Sequence, residues 1–495
     1  MDWFWTMYSD LSTMIVVNRY KSEKIFIERG FMEGHAPSMA AFVIALIPLM
    51  TSLEEVMTGI VTPDDKCHKV KMFADDLKLF IKDLNEIEFL YDRICKFERI
   101  SGLNMHRDPS FDKCQALPFG RHREHNEWPV WVSVKNKIKV VGAIFSNNES
   151  IDKLNTENVS KAFYYALQKS FGVKGTIFQK VYFVNTYLFS KLWYISQCFK
   201  LDGKIVDKML GKALEFIYAG ENERPIRPLN FRNKRLGGLG LIHPKIKAKA
   251  FLIKNMYFDF LQYNGNIADG WIANNLYGYS EDFVRVYNEG LVMAPVKEVY
   301  NFLLQDMVAC NGSLIPSRRE KRSQNVKWSL VWQNVQSLKC LTPEEKCFAW
   351  KTSQDMLPVG SRIHRKNAER RCMSMLENGQ TCPGIEDLEH RFRKCENVQG
   401  VYNGMVDILE TFLGQKVDFN QLIHFAFNHR NKKKLAVALW LAVKVMFKIF
   451  QEKKQNNGQI LREMLKEIDW NINMNRKFGS KCDLRKLKEI LVLET

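Results

Sequence analysis

The chain has 495 residues, 46% apolar and 26% charged, which suits a folded protein of roughly two to four domains and excludes a disordered or fibrous polymer. Its 73 Lys and Arg against 55 Asp and Glu leave a net charge of +18, an excess that points to a polyanionic partner. The start MDWFWTMYSD has acids where a secretory signal needs a basic start and an apolar run, so a nuclear or cytoplasmic protein with reduced thiols is expected.

In chain order, MIVVNRYKSEKIFIERG (14–30) predicts two strands around a polar turn. APSMAAFVIALIPLM (36–50) predicts an apolar helix from Pro37, about fifteen residues with two prolines and too short to span a bilayer. HKVKMFADDLKLFIKD (68–83) alternates apolar and polar residues on both sides of Asp75 and Asp76, the period-two signature of a β-hairpin with two acids at its tip. Ile87, Leu90, Ile94 and Phe97 recur at helical spacing and stop at Ser101-Gly102. IKVVGAIFS (138–146) predicts a strand. From about residue 155 the pattern is helical: 153–171, 176–195 and 203–220 are helix-length segments separated by Gly, and 235–261 is a glycine-rich turn followed by a helix. The run 435–450 is interrupted by Lys444 and Lys448 and predicts a buried helix. Basic clusters recur at 224–235, 317–322, 362–371 and 429–434. Singly these read as solvated faces; together they form a phosphate-contacting surface.

Five segments follow in a distinctive order: ERGFMEGHAPSMAAFVIALIPLM (28–50), MFADDLKLF (72–80), KFERISGLNMH (96–106), IKVVGAIFS (138–146) and RLGGLGLIHP (235–244). Together they resemble the reverse transcriptases of non-LTR (LINE-type) retrotransposons, over residues 1 to about 260 and more loosely to about 450. The resemblance implies an RNA-directed DNA polymerase working by two-metal nucleotidyl transfer, with Mg²⁺ as cofactor and RNA template, DNA primer or target, and deoxynucleotides as partners. It implies that Asp75 binds Mg²⁺ with Asp76 as its neighbour, that Phe73 and Ala74 line the primer end, and that Arg29, Gly30, Glu33, Gly34 and Ser38 position template and nucleotide. Adjacent carboxylates on a rigid turn suit this chemistry, because hard oxygen ligands must bridge two cations.

The chain also departs from the family pattern. The first metal carboxylate, on a strand well before the Arg-Gly segment, and the fingers strands have no counterpart here. Glu33 stands where a neutral Gln is usual, and His106 and Pro109 stand near positions where the family carries Asn and Lys. The expectation is therefore a chain inactive in polymerisation by itself. The alternatives are a non-catalytic nucleic-acid-binding remnant and a gene fragment without a role.

CMSMLENGQTCPGIEDLEHRFRKC contains Cys372, Cys382, His390 and Cys395, and three thiolates with one imidazole suit tetrahedral Zn²⁺. The half from Cys382 to Cys395 matches the zinc-binding segment that follows many LINE-type reverse transcriptases, and Trp350, Leu357 and Pro358 sit where that resemblance places them. The nine residues between Cys372 and Cys382 exceed the usual two. The remaining cysteines read as packing residues. The expected fold class is α+β: an incomplete polymerase palm over 1–150, a helical thumb or connection over 151–290, and a basic helical region over 291–495 with the zinc-binding-like segment at 345–400. No membrane partner is expected.

Overall fold

The computed structural model describes residues 9, 11–27, 38–62, 66–74, 76–125, 127–219, 225–262, 280–310, 313–323, 325–337, 341–363, 370–372, 374, 376, 379–451, 466, 485 and 487–489. It is a helix-rich mixed α/β structure, compatible with the α+β class, whose described sheets each contain two strands. Two compact units form, Met1–Leu154 with Phe258–Tyr277, and Asn155–Tyr257 with Gly278–Thr495.

In the first unit, residues 12–26 fold as an interrupted hairpin: Val16 and Val17 pair with Tyr20 and Lys21, and Ser12 and Thr13 pair with Ile25 and Phe26. The turn falls at Asn18 and Arg19, both at positive φ. Helix α1 (Ser38–Val56) continues through Pro48. It is longer than the sequence predicts: its 19 residues are long and apolar enough to cross a membrane by length and composition, as no other helix among the described residues is. Pro48 removes one N–H from the ladder, and the turns on either side hold the helix together.

Strands β1 (Val70–Phe73) and β2 (Asp76–Leu79) follow as the predicted hairpin, then α2 (Glu86–Ser101). Gly102 ends α2 in the left-handed conformation (φ 70°), its N–H donating to Glu98 O at 2.8 Å, as the Ser-Gly signal requires. The core beneath the hairpin comes from all three elements: Leu46, Leu49 and Leu53 of α1, Val70 of β1, and Leu90 and Ile94 of α2. Residues 138–146, predicted as one strand, form instead a hairpin of β3 (Lys137–Val140) and β4 (Ala143–Ser146). Val141 and Gly142 both take positive φ, the two-residue turn that matches strand twist. The glycine inside the apolar run is the signal for that turn.

The second unit is helical. Helix α3 (Ile151–Lys169) leads into it, followed by α4 (Ile177–Phe183), a π turn (Val184–Leu188) and α5 (Ser190–Trp193). Next come α6 (Gly203–Ile217), α7 (Arg227–Phe231) and α8 (Pro244–Gln262). The later helices include α9 (Arg318–Arg322), α10 (Trp328–Ser337), α11 (Pro343–Ser353), α12 (Glu396–Leu413), α13 (Phe419–His424) and α14 (Lys432–Gln451).

The Gly-Gly-Leu-Gly element is a packing hub of this unit. Gly237 (φ 81°) leaves no room for a side chain, since a Cβ would lie 2.2 Å from the Trp332 ring, and its carbonyl accepts from Trp350 Nε1 at 2.8 Å. Beside it Arg232 is buried against Glu320, with Nη1 3.2 Å from the carboxylate. Two basic clusters are thus partly structural. Arg232 is buried, and Arg319 donates to His424 Nε2 at 3.2 Å. The predicted buried helix is α14, where Lys444 is held at 2.8 Å from Glu345 and lies over the Trp440 ring.

Candidate metal centre and the Asp-Asp hairpin

The hairpin places its functional residues by register. Val70 pairs with Leu79 and Phe73 with Asp76, so the chain reverses between Phe73 and Asp76. Ala74 takes φ 54°, the left-handed start of a tight turn. Alternation puts Val70, Met72, Leu77 and Leu79 on the face packed against α1 and α2. Phe73 is exposed, and the Asp76 side chain, 53% exposed, sits 3.7 Å from Lys78 Nζ. Ser38 opens the helix that backs the hairpin. Arg29, Gly30, Glu33, Gly34 and Asp75 lie outside the described residues. Among the described residues no group of three or more acids or other ligating side chains gathers around Asp76, and nothing there supports Mg²⁺.

The Cys/His residues, by contrast, converge. Cys372, Cys382, His390 and Cys395 are all buried, with one ligand atom from each lying within 4.8 Å of the others. Residues 370–372 and 374 run antiparallel to 382–386. Cys372 N–H donates to Gly384 O at 2.7 Å, Cys382 N–H to Ser374 O at 2.9 Å, and Arg371 bridges to Ile385. This ladder brings Cys372 and Cys382 close enough to share one site, so the nine-residue spacing is no obstacle to it. The second pair comes from a π turn (His390–Lys394) that runs into α12, with Cys395 N–H donating to His390 O at 3.0 Å. Asp387 Oδ1 accepts the His390 N–H at 2.7 Å and fixes the start of that turn.

The spacings fit a tetrahedral ion. Cys372 Sγ and Cys395 Sγ are 3.9 Å apart, and Cys382 Sγ and His390 Nε2 are 3.4 Å apart. Bonds of about 2.3 Å to sulfur and about 2.0 Å to nitrogen imply tetrahedral edges of roughly 3.8 and 3.5 Å. Burial, with Cys372 and Cys382 close by, pushes the Cys395 thiol up to about 12, and burial also lowers the His390 imidazole. Three thiolates cannot share so small a space unless a cation offsets their charge, and a bound dication supplies that. Arg391, on the same turn, lines a cavity of about 10 Å³ beside Cys372 and Cys395 and is itself held by Glu386 at 2.5 Å and Phe450 O at 2.6 Å. The cluster could therefore bind a metal such as zinc.

Sequence reasoning missed the supports. A Cβ on Gly384 would lie 2.2 Å from His390 Cε1, so glycine is what lets the imidazole reach the cluster. Glu386 accepts the Gly360 N–H at 3.2 Å and pairs with Arg391, which in turn donates to Phe450 O near the end of α14. The signal was present, as a glycine two residues after Cys382 and an acid five before Arg391, but it has meaning only once the hairpin closes. Of the expected packing cysteines, Cys347 is buried, whereas Cys67, Cys198 and Cys310 are exposed. They occupy edges and helix ends rather than core faces. Most of the basic cluster 362–371 lies outside the described residues. Comparison with protein-family models and with curated proteins finds no match.

Proposed function

We propose that the chain derives from a LINE-type reverse transcriptase and acts as a nucleic-acid-binding protein whose C-terminal half is organised by Zn²⁺. The observation that carries the lineage is the hairpin: Phe73 pairs with Asp76 at the end of an antiparallel ladder, and the helix that opens at Ser38 packs against its apolar face. The net charge of +18 supports an RNA or DNA partner held through phosphates. Zinc in a closed site of three Cys and one His is structural, with no open position for substrate, so its contribution is to folding. Polymerisation is not part of the proposed role, because the Asp76 side chain is exposed and paired with Lys78, and among the described residues no group of ligating side chains gathers around it.

Titrating the whole chain against labelled RNA at 50 and 200 mM salt tests the binding. Contact with about six phosphates weakens affinity by roughly a few hundred to a thousandfold over that range. A flat salt response overturns the proposal. RNA-templated primer extension should match that of Asp75→Ala, and Asp75-dependent extension would restore the polymerase reading.

A further inference from the structure

Residues 158–200 contain no Asp or Glu, although acids make up one residue in nine of the whole chain. The same stretch holds six Lys and five Tyr. It builds most of α3, α4, the π turn and α5, all within the second unit. Every one of the five tyrosines is exposed, while Phe163, Leu188 and Phe189 on the same helices are wholly buried. The segment thus satisfies its core with Phe and Leu and sends its tyrosines outward.

Three of them, Tyr182, Tyr187 and Tyr194, lie along one continuous helical run at 67%, 45% and 52% exposure. Tyr187 follows Tyr182 by five positions, which would turn them apart on a regular helix. The π turn between them, closed by Phe189 N–H donating to Val184 O at 2.8 Å, brings residues five apart back toward one line. Tyr194 follows Tyr187 by seven positions, about two α-helical turns. Thr186 and Ser190, both exposed, lie between. Lys191 Nζ sits 4.7 Å from the Tyr187 ring centroid, and Lys169 Nζ 4.4 Å from that of Tyr165 on α3. Ammonium groups therefore stand beside π-faces along the segment.

We infer that this stripe is a stacking platform for single-stranded nucleic acid, with unpaired bases lying on Tyr182, Tyr187 and Tyr194 and the neighbouring lysines meeting the backbone phosphates. An aromatic row with lysines and no acids matches a ligand that alternates flat rings with negative charge. A duplex hides its base faces and would gain only the phosphate contacts. The inference rests on nucleic acid being the ligand, but it uses residues outside both the hairpin and the Cys/His cluster.

The test uses the full chain and fluorescence anisotropy with three probes: a single-stranded RNA 20-mer, its duplex, and an abasic strand of equal charge. The wild type should bind the single strand about tenfold or more tightly than the abasic strand, the scale of one or two stacked bases. Tyr182→Ala/Tyr187→Ala/Tyr194→Ala should abolish that preference without moving the melting temperature. The matching triple Phe variant, which keeps the rings, should retain it. If the Ala variant binds the single strand like wild type, the stripe is unused and the wider nucleic-acid reading survives. If the Phe variant fails like the Ala variant, or the abasic strand binds equally well, stacking is overturned. If the wild type binds no probe, both readings fall, and an acidic protein becomes the better partner for the stripe.

Discussion

The Asp-Asp hairpin and the Cys/His cluster are both metal-site candidates carried by short sequence patterns, and the folded chain treats them oppositely. Asp76 stands half exposed on a two-stranded hairpin, its near charge a lysine two residues along the same strand. Cys372, Cys382, His390 and Cys395 come from a closed ladder and a π turn, and all four are buried. The hairpin is built by local alternation, which buries its apolar face against α1 and α2 but, among the described residues, gathers no group of ligands around Asp76. The cluster is built by long-range closure, so each ligand depends on the others and on supports such as Gly384 and Glu386. Ligand residues become a site when tertiary packing converges them, and their adjacency in sequence contributes little to that.

Removing the metal should separate the two regions most sharply. Chelation, or Cys395→Ser, should lower the stability of the second unit by several kcal/mol or more, given apparent zinc-binding energies of about 10–16 kcal/mol in zinc-finger peptides. Thermal unfolding with and without chelator, together with the zinc content per chain, measures this. Gly384→Ala should mimic it in part by displacing the His390 ring, and zinc bound at full stoichiometry in that variant would refute the role given to the glycine.

Glu320→Gln tests whether the second unit depends on buried charge as well. It leaves the Arg232 cation in the core without its counterion, at a cost of about 3–5 kcal/mol in urea unfolding. A double replacement of Arg232 and Glu320 by apolar residues should recover most of that loss, because no charge is then stranded. Failure to recover would mean that the hydrogen bonds to Ile315 and Trp332, rather than the charge, hold the hub together.

Acid should act on the second unit as well. Burial lowers His243 and His424 to about 4, and the charges of Arg227 and Arg319 respectively act in the same direction. The folded state therefore binds fewer protons than the unfolded state, whose histidines titrate near 6.5. The stability from keeping these rings neutral is complete above about pH 6.5 and is lost as pH falls toward 4, by up to about 3 kcal/mol for each ring. Denaturation midpoints followed from pH 7 to 4 should fall, and His424→Gln should flatten the slope. A midpoint unchanged by pH would show that neither ring stays neutral in the fold.

The smallest effect belongs to the hairpin. Asp76→Ala removes an exposed carboxylate paired with Lys78 and should change stability by less than about 0.5 kcal/mol. A loss above about 2 kcal/mol would mean that Asp76 has partners beyond Lys78, and the contrast with the cluster would weaken.

By itself the sequence determined the local elements: the 70–79 hairpin from its alternation, the end of α2 from Ser101-Gly102, the buried α14, and the identity of four soft ligands. Each rests on interactions a few residues long, which periodicity and turn chemistry report directly. Residues 138–146 were misread because an apolar run hides a turn unless its glycine is taken to mark positive φ. Only the tertiary structure decided that Cys372 and Cys382 could meet across nine residues, that Arg232 is buried while Tyr182 is exposed, and that Gly237 and Gly384 leave space for the Trp332 and His390 rings. Those outcomes depend on which distant side chain fills a given volume, and composition and spacing carry no record of that until the chain closes on itself.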